Sequence, residues 1–385
     1  MHNEFYSSFI ELSEKAIDDG SGQRQFKLKG QEEVHFKGTK ASAAAFRSAL
    51  QRGIENLDEE LNRFENLFSS KHSTIFWASD YSDVFNSLKR LFKLYKTRSV
   101  RLPNVESSTI FRELGIKYFL RDERIELRED ADMQFFVADM MLSDTGNLLL
   151  LNQSNGNLDR LSNGSINVFF TSIDRILNNS DWVELYQQLR SYNTGCGEQD
   201  MILFKGSPNC SNYLFIIDNQ RTNLLRHKEL RQALTCIQCG RCNDVCPVYQ
   251  TIGDEPYNNV FVGPVGNIIL PYLETVESYR HTAYACTLCG RCEEVCPITL
   301  PIRDMIIESR HLFNVNDEID KNERRQLTAM RRVLASRQKM NSYGFLKRHL
   351  LLKFLSSDYR RSHRIPVFSK ESFNKSYKKS INNEK

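Results

Sequence analysis

The stretch CIQCGRCNDVCP at residues 236–247 returns at residues 286–297 as CTLCGRCEEVCP, and the two copies take up eight of the ten cysteines. Each copy runs Cys, two residues, Cys, two residues, Cys, three residues, Cys, Pro. Cys236, Cys239, Cys242 and Cys246 precede Pro247; Cys286, Cys289, Cys292 and Cys296 precede Pro297. This is the run with which bacterial ferredoxins hold [4Fe–4S] cubes. Three thiolates spaced by two residues on a turning backbone meet three iron corners, while the fourth faces away and, in two-cluster proteins, ligates the other cube. The spacing therefore assigns Cys236, Cys239, Cys242 and Cys296 to one cluster, and Cys286, Cys289, Cys292 and Cys246 to a second. Crossed ligation needs both copies and holds two redox centres close together, which suits single-electron passage. Gly240 and Gly290 sit inside the loops, where a missing Cβ lets backbone N–H groups approach the sulfurs.

Other uses of cysteine fit less well. Zinc accepts four thiolates, but its usual pattern is two separated CxxC pairs. Disulfides belong to exported chains, and clusters serving only as structural props do not need shared ligands. Cys196 and Cys210 lie outside any ligand spacing and read as small packing residues. His281, five residues before Cys286, reads as a surface histidine, with tuning of a cluster as the sharper alternative.

The N-terminus, MHNEFYSSFIELSEKAIDD, has acidic residues where a secretory signal needs a basic start, and no stretch approaches the roughly 18 apolar residues of a membrane span. The expectation is a cytoplasmic protein with no transmembrane segment. Charge is uneven: residues 311–385 hold 18 Lys and Arg against 7 Asp and Glu, a net +11 within an overall +4, which leaves −7 for the first 310. Such a basic tail suits an acidic partner or a peripheral membrane contact, or is simply a set of solvated helices. No nucleic-acid-binding motif accompanies it.

Residues 39–72 show apolar positions three and four apart (Ile54, Leu57, Leu61, Phe64, Phe68), the pattern of an amphipathic helix. Strands are expected at TIFWA (74–78), SVRL, IKYFL (116–120), FFVADM, NLLLLN (147–152), INVFF (166–170) and NYLFIID (212–218). Helices are expected at DYSDVFNSLKRLFKLYK (80–96), SSTIFREL and DWVELYQQLRSY. This alternation predicts an α/β fold with a mostly parallel sheet and helices. TNLLRHKELRQALT reads as one helix leading into Cys236, after which strand signals fade. The expected layout is an N-terminal helix and linker at 1–39, an α/β domain at 40–220, a mostly helical two-cluster domain at 221–312 and a basic helical tail at 313–385. There is no complete GxGxxG after a strand and no phosphate-binding loop, so no flavin or NAD site of its own is expected, and no residue is assigned a catalytic role.

Taken together, RQALTCIQCGRCNDVCPVYQTIG, Tyr257, the GPVG of residues 263–266 and ACTLCGRCEEVCPITLPIRD resemble the lactate utilisation protein B family of iron–sulfur proteins, in which an LUD domain precedes a two-cluster ferredoxin-like domain. LFIIDNQRTNLL, IENLDEELNRFE, INVFFTSIDRIL and IPVFSKESF are similar to that family too. The resemblance implies an electron-transfer subunit in the oxidation of L-lactate to pyruvate, working with a cysteine-rich partner subunit and a second LUD protein. Its LUD fold is similar to that of sugar-phosphate isomerases and CoA transferases, a likeness that assigns no reaction. One departure stands out: in ADMQFFVADMMLSDTGN (131–147), Phe136 and Val137 replace the family's Thr-Gly. The α/β part is therefore expected to act as a docking scaffold, with the basic tail and the face from Tyr257 to Pro264 as contact surfaces. The rival readings are a two-cluster wire for glycolate, glycerol 3-phosphate, succinate or a disulfide, a non-redox iron–sulfur scaffold, and a self-contained enzyme using the α/β pocket.

Overall fold

The computed structural model describes residues 40–102, 117–120, 133–151, 166–191, 201–206, 210–257, 261–315, 321–338, 371 and 373–383. The expected helix and linker at 1–39, the helix at SSTIFREL and Cys196 lie outside them, as does most of IPVFSKESF. Contacts gather the chain into two compact units, Met1–Leu312 and Phe313–Lys385.

The first unit is built on a sheet of six parallel strands: β1 (Ser73–Ala78), β2 (Ser99–Leu102), β3 (Lys117–Leu120), β4 (Met133–Val137), β7 (Ile166–Ser172) and β10 (Ser211–Ile217). Their spatial order is β1-β10-β7-β4-β2-β3. Strands covered on both faces read as nearly continuous apolar runs, and MQFFV, INVFFTS and SNYLFII do so because successive side chains go to opposite layers. Phe135, Val168 and Phe215 join Val84, Leu88, Leu91 and Phe92 of helix α3 (Tyr81–Tyr95) on one face. Phe136, Phe169, Leu214 and Ile216 meet Phe64 and Phe68 of α2 (Leu57–Ser69) on the other. Phe136, which stands where the resemblance has Thr, stacks on Phe169 at 5.3 Å between ring centres, whereas Val137, at the glycine position, is exposed.

The mostly parallel sheet with helices is as the alternation of the sequence indicated, but a second sheet was not foreseen. Strands β5 (Met140–Leu142), β6 (Asn147–Leu151), β8 (Ile176–Leu177) and β9 (Met201–Phe204) form it in the order β8-β5-β6-β9, with β6 antiparallel to both neighbours. Two- and three-residue strands are too short to show a period of two. The helix expected over 39–72 is likewise two, α1 (Lys40–Glu55) and α2, broken where Asn56 leaves helical geometry at φ −111° and ψ 36°. The bend lets α1 bury Phe46, Ala49, Leu50 and Ile54 separately from the Phe64–Phe68 face of α2. At the close approach of α1 to β8, a Cβ on Gly53 would stand 3.1 Å from the Ile176 carbonyl oxygen.

The stretch expected as one helix before Cys236 is also divided, into α5 (Arg221–Leu225) and a 3₁₀ turn at Arg231–Thr235. Leu224 and Leu230 are both buried, yet six residues along an α-helix place side chains about 240° apart. The chain must turn to bury both. Beyond it lie α6 (Arg241–Val245), α7 (Pro247–Ile252), α8 (Gly263–Leu273), α9 (Val276–Ala285), α10 (Arg291–Glu294) and α11 (Ile302–Val315); α4 (Val183–Ser191) precedes β9. The second unit contains α12 (Lys321–Leu334), which exposes Leu327 and Leu334, and α13 (Phe373–Asn383). Among the described residues no helix is long and apolar enough to cross a membrane.

The turn between β5 and β6 is clamped onto α2. Lys71 Nζ donates to the carbonyls of Thr145 (2.6 Å) and Gly146 (3.0 Å) and to Asn147 Oδ1 (2.6 Å). Gly146 has φ +62°, and a Cβ there would lie 2.5 Å from Leu67 Cβ and 2.9 Å from the Phe68 nitrogen. Gly146→Ala should therefore destabilise the protein by about 1–3 kcal/mol through overpacking at a left-handed position. A denaturant midpoint equal to that of the parent protein would contradict this packing.

Candidate metal centre

Each cysteine copy opens with the same backbone turn. Gln238 and Leu288, two residues after the first cysteine of each copy, have φ of 54° and 58°, and Gly240 and Gly290 follow at 74° and 80°. A left-handed conformation costs a residue with a Cβ about 1–2 kcal/mol, so its recurrence at both non-glycine positions marks a turn that the surroundings impose. Its effect is to aim amide hydrogens at sulfur. Gln238 N–H points to Cys236 Sγ at 3.4 Å and Leu288 N–H to Cys286 Sγ at 3.3 Å. Tyr249 N–H likewise approaches Cys246 Sγ (3.5 Å), and Leu300 N–H approaches Cys296 Sγ (3.3 Å). For Gly290 the demand is conformational rather than steric, since a Cβ there meets nothing nearer than Arg303 Nη1 at 3.4 Å.

The eight cysteines surround two small cavities. Cys236, Cys239, Cys242 and Cys296 line one, with Val265, Pro297 and Ile298. Cys246, Cys286, Cys289 and Cys292 line the other, with Pro247 and Pro264. Each cavity thus draws three sulfurs from one copy and one from the other. Four thiols round a void, approached by backbone N–H groups, form a donor set that fits a [4Fe–4S] cube. Among the described residues no three His, Cys, Asp or Glu side chains converge on a single ion, and all cysteines there are free.

Burial governs the thiols. It pushes Cys236 up to about 12 and Cys292 up to about 12, with neighbouring cysteines adding to the effect. Cys239, Cys242, Cys246 and Cys296 are raised for the same first reason. Binding of iron by these thiols would therefore release protons. Cys289 differs: the Arg291 N–H holds it below the usual thiol range, and it is exposed, whereas its counterpart Cys239 is buried. Cys210 is buried beside β10. His281 is half-buried rather than superficial, and burial, then Arg280, pushes it down to about 4. In the described part of the stretch from Tyr257 to Pro264, Tyr257, Phe261, Gly263 and Pro264 are buried and Val262 is half-buried.

Reading the sequence missed the arginines that hold the loops. Arg175 Nη1 donates to the Cys236 carbonyl at 2.8 Å, and Arg190 of α4 donates to the Gln238 carbonyl. Arg47 of α1 donates to Thr299 O at 2.7 Å and to Gln232 Oε1 at 2.9 Å. Behind Arg175 lies Asp174, whose side chain is almost wholly buried, with Arg175 Nε at 3.6 Å and Arg221 Nε at 2.6 Å. The closer pair is a contact of charge rather than an aligned hydrogen bond. The available signal was an adjacent Asp and Arg inside the apolar run INVFFTSIDRIL.

Burial alone would raise the Asp174 carboxyl, but Arg221 and then Arg175 outweigh it and hold it below the usual carboxylate range. A lowered value means that this ion cluster contributes its full stability above the unfolded carboxyl value of about 3.9, and loses it as the pH falls through the folded value. Asp174→Asn leaves two buried guanidiniums uncompensated and should cost about 3–5 kcal/mol at neutral pH. It should also flatten the acid limb of stability, measured by denaturant titration from neutral pH to pH 3. An acid limb as steep as that of the parent protein would assign the effect to other carboxylates.

Residues 232–300 match the family described as 4Fe-4S dicluster domain. Lactate utilization protein B of Exiguobacterium sp. is 33% identical over 100 residues, 26% of this chain and 21% of that protein. Lactate utilization protein B of Bacillus thuringiensis is 29% identical over 205 residues, 50% of this chain and 42% of that protein, and the Bacillus cereus protein matches with the same figures. The chain thus spans less than half the length of the curated relatives it matches. A crystal structure of a DUF162 family protein from Deinococcus radiodurans is similar at a TM-score of 0.33 and 14% identity, over 42% of this chain and 98% of that one. Residues 232–300 are therefore similar to the 4Fe-4S dicluster domain family, and half of the chain is similar to proteins named Lactate utilization protein B.

Proposed function

We propose that this chain is the electron-transfer subunit of a cytoplasmic complex that oxidises L-lactate to pyruvate, and that it holds two [4Fe–4S] clusters by crossed ligation. The observation that carries the reading is the pair of adjoining four-cysteine cavities, each built from three sulfurs of one copy and one of the other. A bound [4Fe–4S] cube takes up and returns one electron at a time. Around it, this chain's thiolates fix the iron and its turn amides offset charge on sulfur. The apolar lining of Val265, Ile298 and Leu300 keeps water from the first cavity. Exposed Cys289 makes the second cavity the one nearer to a partner.

The relatives' name supports lactate as the source of electrons. The two-electron chemistry then belongs to the partners, a cysteine-rich subunit and a second LUD protein. The basic tail, with exposed Leu327 and Leu334 beside Arg331 and Arg332 on α12, is the surface we assign to partner or membrane contact.

The test is an anaerobic affinity pull-down with iron, sulfide and zinc counted on the recovered protein. About eight irons and eight sulfides per chain are expected, with cluster absorbance bleached by L-lactate in the recovered complex. Zinc in place of iron defeats the cluster reading. Bleaching by glycolate, glycerol 3-phosphate or succinate but not lactate keeps the wire and replaces its substrate.

A further inference from the structure

The two cysteine copies are built alike, yet they obtain one contact from different places. In the second copy the carbonyl of the first cysteine, Cys286, accepts from Arg310 Nη2 at 2.6 Å, and Arg310 Nε also donates to Ala283 O at 3.0 Å. Arg310 lies on α11, the helix that follows that copy's last cysteine. Fifty residues earlier, at the matching place after the first copy, the sequence has Val260. The Cys236 carbonyl is met instead by Arg175, which stands between β7 and β8 of the α/β part.

Arg175 is also not alone on that cavity. Arg190 grips the Gln238 carbonyl, and Arg47 grips Thr299, three residues beyond the Cys296 that lines the same cavity as Cys236. Asp174 and Arg221 fix Arg175 from behind. A guanidinium held in this way places positive charge and hydrogen-bond donors at one set of ligands, and charge and hydrogen bonding are the terms that set a cluster's potential.

We infer that Arg175 is a cross-domain positioning residue: it does for Cys236 what Arg310 does for Cys286, so the α/β domain is a working part of one cluster site and not of the other. This rests on the reading that both cavities hold [4Fe–4S] clusters. The α/β domain thereby has a role that requires no pocket of its own. Removing the Arg175 charge makes an added electron less welcome at the first set only, which lowers that midpoint.

The experiment uses the full-length protein reconstituted without oxygen, with iron counted and both midpoints read by EPR during titration with dithionite. The two signals are assigned beforehand with Cys239→Ser and Cys289→Ser. Arg175→Gln should move the Cys239-assigned midpoint negative, or cost that cluster and half of the iron, while the Cys289-assigned signal stays in place. Arg310→Gln should do the reverse. Arg175→Lys, which keeps charge but loses the fork, should show a smaller shift of the same signal; it carries the same decision if Arg175→Gln does not fold. Unchanged midpoints and iron in the Arg175 variant, or an equal shift of both signals, overturn the inference. Wild-type protein well short of about eight irons overturns the cluster reading and this inference with it, whereas a full iron count with an unmoved Arg175 variant overturns the inference alone.

Discussion

A single buried carboxylate holds the first unit together where its parts meet. Asp174 sits between β7 and β8 with two guanidiniums against it, one of which, Arg175, passes on to the first cysteine loop, while the other, Arg221, opens α5. Stranding any of these charges without partners would cost several kcal/mol, so the sheet, α5 and the loop at Cys236 are constrained to one arrangement. Apolar contact alone would allow sliding; a three-charge lock does not. Outside it, the exposed pair of Arg231 and Glu55 at 3.5 Å adds little of its own.

Most of what surrounds this lock follows from simple patterning. Strands β7 and β10 are apolar at consecutive positions because both faces of the sheet are covered, by α3 on one side and by α2 with the smaller sheet on the other. Packing is aromatic on both sides: on the α3 face Phe135 stacks on Phe170 at 5.7 Å and Phe170 on Phe215 at 5.4 Å, and on the other Phe169 stands 4.6 Å from Phe204. Within the apolar layers Asn167 Nδ2 donates to Asn212 Oδ1 at 3.0 Å on neighbouring strands. That bond penalises any slip of the register, since a shifted strand would leave both amides buried without each other.

How far the sequence could be read depended on whether a feature was local. The cysteine copies, the long apolar strands and α3 were legible because spacing and period report directly on them. Of the second sheet, β6 was legible as an apolar run, but β5 and β8, at three and two residues, offered too few positions for a period. Arg175 and Arg190 look like ordinary charges until the fold brings them more than forty residues across the chain to the loop they serve. His281 was misjudged for the same reason, because its burial is set by neighbours remote in sequence. The glycines of GPVG were visible but unexplained. Gly263 has φ +66° with its missing Cβ 2.1 Å from Asn243 Oδ1, and a Cβ on Gly266 would meet the Phe261 carbonyl oxygen at 2.7 Å.

Those glycines seat a helix whose eleven residues are all buried, α8. Between them, adjacent residues face different cavities: Pro264 lines the one with Cys289, and Val265 the one with Cys239. The partition between the two chambers includes two consecutive residues at the rigid start of a helix, one of them a proline. In the proposed function, the wall between two cluster sites would thus be set in part by a single peptide unit.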